Sequence, residues 1–138
     1  MMALKLARVA GCKVILSSSS DAKLSKVREM FPSPPHLLTL NYATNTNWHE
    51  QVLAMTDGAG VDCVIENGGT SSMVRSLKCT KRSGTVSQVG YLGKQDPADL
   101  GEMLPTLIDR KINLRYVVHM RPIPFASTFR HGHELTEP

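Results

Sequence analysis

Four consecutive serines, Ser17 to Ser20, precede Lys23 by three positions. Hydroxyls donate as well as accept hydrogen bonds, and a lysine ammonium adds a compact positive charge, so this set could hold a phosphate group. Asp21 is the one acid nearby, and helix capping accounts for it. A polar turn beside a surface lysine is the plain alternative. Two further stretches join glycine to polar groups, Glu66-Asn67-Gly68-Gly69 and Val89-Gly90-Tyr91-Leu92. Glycine there lets a ligand approach the backbone closely; two ordinary strand-to-helix turns would read the same way. Glu66 could serve as a general base, but a carboxylate without a second acidic or basic group is more often a turn or cap residue.

Other chemistry is sparse. His36, His49, His119, His131 and His133 are scattered, and the pair His131 and His133 supplies only two ligands, too few to close a metal site. No Gly-x-Ser-x-Gly elbow occurs, so a hydrolytic triad is unsupported. Cys12, Cys63 and Cys79 form no Cys-x-x-Cys pair, and each sits in an apolar or helical pattern. Buried, reduced thiols in a cytoplasmic protein are the expectation. The net charge is +4, but the basic residues are dispersed, with Lys81-Arg82 and Arg110-Lys111 the adjacent pairs. That fits a solvated surface and gives no nucleic-acid footprint. No apolar run approaches the ~18–20 residues of a membrane span, and the first residues carry no secretory signature.

The candidate residues must be positioned by ordinary elements, and apolar spacing predicts them. Residues 2–10 read as a helix with Leu4, Leu6, Ala7, Val9 and Ala10 on one face and Gly11 as its stop. Residues 13–16 read as a buried strand, and Asp21 to Phe31 as a helix capped by Ser20 or Asp21. After Pro32, Pro34 and Pro35 comes a short strand over 36–40. Asn47 and Glu50 have capping-box spacing ahead of a helix whose inner face holds Trp48, Val52 and Met55. Residues 61–65 form a nearly uninterrupted apolar strand, suited to burial on both faces. A helix over 71–80 follows, then a strand over 84–90. Asp96-Pro97 starts a helix carrying Leu100, Met103, Leu104, Leu107 and Ile108, in which Pro105 threatens a distortion, and 112–118 is a last strand. Strict alternation of helix and strand predicts an α/β fold: a Rossmann-like, doubly wound, mostly parallel sheet with helices on both faces. Residues 1–120 make one such domain, and 121–138 an irregular tail.

Several stretches together resemble the cofactor-binding half of medium-chain dehydrogenases/reductases, the zinc-type alcohol dehydrogenases and the zinc-free quinone and enoyl reductases. They are Ala3 to Ile15, the serine run with Lys23, Leu40-Asn41-Tyr42, Thr56 to Asp62, and Gly84 to Gly90. The first strand and Gly-rich turn that hold the pyrophosphate in that family are not matched, so an incomplete dinucleotide-binding domain of a truncated or degenerate member is expected. The strands at 13–16 and 61–65 must then either pair directly or expose two edges.

The resemblance implies an oxidoreductase transferring hydride between a nicotinamide and a carbonyl or activated alkene. It assigns Ser18, Ser19, Lys23 and Tyr42 to the 2′-phosphate of NADP. A serine run in place of the acid that an NAD site uses agrees with that choice. The turns with Asn67, Gly68, Gly90 and Tyr91 would border the ribose and nicotinamide. It assigns no catalytic residue and no zinc site to these residues. A non-catalytic nucleotide-binding or assembly module, pairing as a homodimer through the strand at 112–118, is the alternative.

Overall fold

The computed structural model describes residues 1–33, 37–90 and 97–116. Along them run α1 (Met2–Val9), β1 (Val14–Ser18), α2 (Asp21–Met30), β2 (Leu37–Asn41), α3 (Trp48–Met55), β3 (Val61–Glu66), α4 (Thr70–Cys79), β4 (Thr80–Gln88), α5 (Pro97–Arg110) and β5 (Asn113–Tyr116). The order is the one that apolar spacing predicts, with β4 starting at Thr80 instead of Gly84. The expected tail over 121–138 lies outside the described residues.

Local signals account for most boundaries. Gly11 ends α1 in the left-handed conformation, φ +75°, while its N–H donates to the Arg8 carbonyl at 2.9 Å. Ser20 caps α2, its Oγ accepting the Lys23 N–H at 3.4 Å. The capping box expected from Asn47 and Glu50 does not form. Asn47 lacks the extended backbone of a side-chain cap and makes no cap bond. Asn45 organises that turn instead, its Oδ1 accepting the Asn47 N–H at 3.0 Å and its Nδ2 donating to Gln51 at 3.2 Å. α5 runs unbroken from Pro97 to Arg110 with Pro105 inside it.

All strand pairs are parallel, and helices connect them. β1 pairs with β2, from Val14 opposite Leu37 to Ser18 opposite Asn41. β3, β4 and β5 form a second sheet in that order. This is the Rossmann-like, doubly wound arrangement with flanking helices. It is interrupted once: β1 and β3 do not pair. In a 3-2-1-4-5-6 sheet that interruption falls where the central first strand stands. Of the two outcomes weighed from sequence, direct pairing is not the one found: among the described residues, the facing edges of β1 and β3 have no strand beside them.

Two apolar clusters carry the packing. Met73, Leu77, Val86 and Ile112 are buried together, with Val64, Met103, Leu107 and Leu114 against them, and fix α4 and α5 to the three-stranded sheet. Leu40, Val52 and Cys79 form the other, contacted by Ile15, Trp48, Leu53 and Val61. Trp48 is thus a packing residue. Strand β3 is not buried on both faces as its composition suggests: Cys63 and Ile65 are exposed on the face opposite Val64 and Glu66, which α4 and its neighbours cover, and Asp62, at the strand's start, is exposed as well. The same bare face makes Cys63 an exposed thiol, and Cys12 is exposed in the turn after α1. Only Cys79 meets the expectation of burial, and burial pushes its thiol up to about 12. On α5, Met103 and Leu107 pack inward while Leu100, Leu104 and Ile108 remain exposed.

Gly60 shows how tightly the β3 entry is built. Its φ is +81°, and a Cβ there would lie 2.6 Å from the Cys79 carbonyl oxygen. Gly60→Ala is therefore expected to cost about 1–3 kcal/mol, read as a lower urea midpoint. In the folded chain a thiol reagent should modify Cys12 and Cys63 rapidly and Cys79 only after unfolding, which mass spectrometry of the labelled protein would resolve.

Candidate functional site at the strand ends

In open parallel sheets, ligands bind beyond the carboxyl ends of the strands. At the end of the first sheet, the Tyr42 N–H donates to the Ser18 carbonyl at 3.1 Å, which puts Tyr42 directly beside Ser18. The Ser18 Oγ accepts the Ser20 N–H at 3.3 Å, and the Ser20 Oγ accepts the Lys23 N–H. Both hydroxyls thus spend acceptor capacity on the turn and keep an O–H to donate outward. Ser19, Lys23 and Tyr42 are exposed. Ser18, Ser19, Lys23 and Tyr42 therefore meet at one corner, at the N-terminus of α2. The partial positive charge of that helix end adds to the lysine.

At the end of the second sheet, Glu66 and Gln88 stand opposite each other in register and both are buried. The Glu66 Oε1 accepts the Gly68 N–H at 2.6 Å; its Oε2 accepts the Ser72 hydroxyl at 3.1 Å and, more closely, the Ser76 hydroxyl. The carboxylate is thus saturated with donors from its own turn and from α4. It ties the turn to α4 through two serine side chains, so of the turn and cap readings of Glu66 the turn is the one its geometry bears out; α4 has no side-chain cap bond. Ser72 and Ser76 were not singled out from sequence, although their i, i+4 spacing on α4 places them on one helix face.

Gln88 donates its amide to the Gly90 carbonyl, while its Oε1 is buried with no partner. The Asn67 side chain fills the space where a Gly90 Cβ would stand. Asn67, Gly68 and Gly90 are therefore gathered in one place, and Tyr91 lies outside the described residues.

A separate cleft of about 110 Å³ opens between α3, α4 and α5, lined by Asn47, His49, Arg75, Lys78, Asp99 and Glu102. Lys78 and Glu102 pair across it at 2.7 Å. The His49 Nδ1 is buried without a partner. Burial lowers the His49 pKa, as do Lys78, Arg75 and Arg110, against the opposing pull of Glu50. Among the described residues, no three His, Cys, Asp or Glu side chains are grouped to hold a metal ion, and no helix is long and apolar enough to cross a membrane.

A family model described as zinc-binding dehydrogenase matches residues 1–130. The chain belongs to this family. Its place is within the medium-chain dehydrogenases/reductases, oxidoreductases by descent. It is 32% identical over 114 residues to a zinc-type alcohol dehydrogenase-like protein of Schizosaccharomyces pombe, covering 82% of this chain and 32% of that protein. An alcohol dehydrogenase of Cupriavidus necator is 31% identical over 109 residues, covering 78% and 28%. A quinone oxidoreductase of Pseudomonas syringae pv. Tomato shares the fold, with a TM-score of 0.65 at 21% identity over 83% of this chain and 33% of that one. The chain spans about a third of the length of the curated relatives it matches.

Two outcomes follow from this geometry. Glu66→Gln replaces an acceptor-only group with one carrying an NH₂, which must face donors, and should cost about 1–3 kcal/mol in urea unfolding. For His49, the folded state favours the neutral ring. Its contribution is present above the unfolded value of 6.5 and lost as pH falls through the lowered folded value. Stability measured from about pH 7.5 down to about pH 5 should fall less steeply in His49→Gln than in the parent chain.

Proposed function

We propose that this chain forms the adenosine side of an NADP(H) site in an oxidoreductase that moves hydride between the nicotinamide and a carbonyl or activated alkene. The observation that carries the proposal is the corner made by Ser18, Ser19, Lys23 and Tyr42 at the N-terminus of α2. A 2′-phosphate needs donors and positive charge, and this corner offers outward hydroxyls, an exposed ammonium and a helix N-terminus. No carboxylate stands in β1 or in the turn before α2, where an NAD site would use one against the ribose hydroxyls. The donor set thus fits the phosphorylated cofactor better than the unphosphorylated one.

Asn67, Gly68, Gly90 and Tyr91 are proposed to border the ribose and nicotinamide. The buried, unpartnered Gln88 oxygen beside them is an acceptor available to a donor in that space. The nicotinamide, when bound, supplies the hydride chemistry; these residues bind and orient it. No residue is assigned to catalysis or to zinc. A cytoplasmic location is proposed with this role.

Calorimetry with fragments tests the site. 2′,5′-ADP should bind more tightly than 5′-AMP, and Lys23→Ala should reduce that preference by about tenfold, the loss of one charge-assisted contact. Equal affinity for the two nucleotides, or no heat with either at millimolar concentration, would sink the NADP assignment. A second reading, homodimerisation through the strand at 112–118, of which 117 and 118 lie outside the described residues, is supported by β5 being the outer strand of its sheet among the described residues, with Tyr116 exposed. Light scattering that gives a monomer at every concentration tried would count against it.

A further inference from the structure

Of the five asparagines in the chain, Asn67 alone is followed by glycine; Asn41, Asn45, Asn47 and Asn113 precede Tyr42, Thr46, Trp48 and Leu114. An asparagine side-chain amide can be lost to the chain's own backbone. The nitrogen of the next residue attacks Cγ, and glycine, having no Cβ, leaves that nitrogen least hindered. The fold does not let this glycine be exchanged. A Cβ on Gly68 would stand 2.7 Å from the Ser72 Cβ and 2.9 Å from the Glu66 Oε1.

Attack needs nitrogen and Cγ close and aligned, and two restraints act against that. The Gly68 N–H, whose nitrogen is the nucleophile, donates to the Glu66 Oε1 at 2.6 Å. The Asn67 side chain, whose Cγ is the electrophile, is seated against Gly90, just past β4. Glu66 is itself buried and held from α4, its Oε2 accepting the Ser72 and Ser76 hydroxyls. Both of its oxygens are thus engaged. Asn67 is exposed, so water reaches it.

We propose that Asn67 is a deamidation site latched by Glu66: the turn stays intact while the Gly68 N–H is held, and converts when that bond is released. The Gly68 nitrogen forms a bond to the Asn67 Cγ, the Cγ–Nδ2 bond breaks, and the proton lost from the Gly68 nitrogen leaves with Nδ2 as ammonia. Water then adds to one carbonyl of the five-membered imide. Cleavage at Cγ gives aspartate, and cleavage at the main-chain carbon gives isoaspartate; nothing is oxidised or reduced. Either product sets a new carboxylate next to buried Glu66, and the two charges repel. Isoaspartate also adds one carbon to the main chain ahead of Gly68, which carries the Gly68 N–H away from Glu66. The conversion is therefore one-way, and it unties the end of β3 from α4. The inference needs no nucleotide and does not rest on the NADP reading.

The test is peptide mass spectrometry of the full chain aged in mildly alkaline buffer, reading amide loss at residue 67, with isoaspartyl methyltransferase labelling for the rearranged product. In urea above the unfolding midpoint, residue 67 should convert ahead of the other four asparagines. In the folded chain it should convert at least about tenfold more slowly, as closed local structure protects the groups inside it. Glu66→Ala, shown to fold by circular dichroism, should bring the rate most of the way to the unfolded one. Where Glu66→Ala does not fold, Ser72→Ala takes its place, and loosening the carboxylate should raise the rate part of the way. Three results would overturn the proposal. One is a residue 67 that converts no faster in urea than the other asparagines. Another is the same rate in the folded and unfolded chain. The third is a folded variant that converts at the parent rate or below it; a lower rate would make Glu66 the base of the reaction and not its restraint.

Discussion

The packing of Leu40, Val52 and Cys79 joins two sheets that share no strand-to-strand hydrogen bond. Leu40 comes from β2, Val52 from α3 and Cys79 from the end of α4, so side-chain burial substitutes for the backbone ladder at this point. The substitution is unequal in kind. A ladder fixes register and direction, whereas apolar burial is non-directional and scales with area. Gly60 belongs to the same region: its backbone runs so near the Cys79 carbonyl that no side chain fits between them.

The second sheet has a polar counterpart to that cluster. Glu66 is 4% exposed, and a buried carboxylate is costly unless donors surround it. Gly68, Ser72 and Ser76 provide them, and through them the end of β3, its turn and α4 become one rigid piece. Asn67 and Gly90 are held against each other on that piece. A carboxylate so fully engaged is poorly placed to move protons, which is why Glu66 reads as a scaffold for the turn that carries Asn67 and Gly68.

The alternation of helices and strands was legible because each element carries its own local signal. The glycine after α1, the serine before α2 and the apolar run of β3 need no partner to be read. What was not legible depends on neighbours. The run Val61 to Ile65 has the composition of a strand covered on both faces, yet cover is a property of the surroundings, and one face of β3 is bare. The same reason turned Cys63 from an expected core residue into an exposed thiol. Asn47 had the right type and spacing for a cap, but its backbone angles gave the work to Asn45. At the site, the closeness of Ser18 and Tyr42 rests on the β1–β2 register, and the closeness of Asn67 and Gly90 on the β3–β4 register. Neither register is written in either strand alone.

The break also divides the chemistry. Ser18, Ser19, Lys23 and Tyr42 stand on the two-stranded sheet, while Asn67, Gly68 and Gly90 stand on the three-stranded one. A ligand that reaches only the first group is indifferent to how the sheets are joined; a whole dinucleotide touching both groups is not. What sets the spacing of the two groups is the cluster of Leu40, Val52 and Cys79, on which Ile15 of β1 and Val61 of β3 both rest. The interruption in the sheet and the division of the site are therefore one constraint, carried by side-chain burial where a backbone ladder is absent among the described residues.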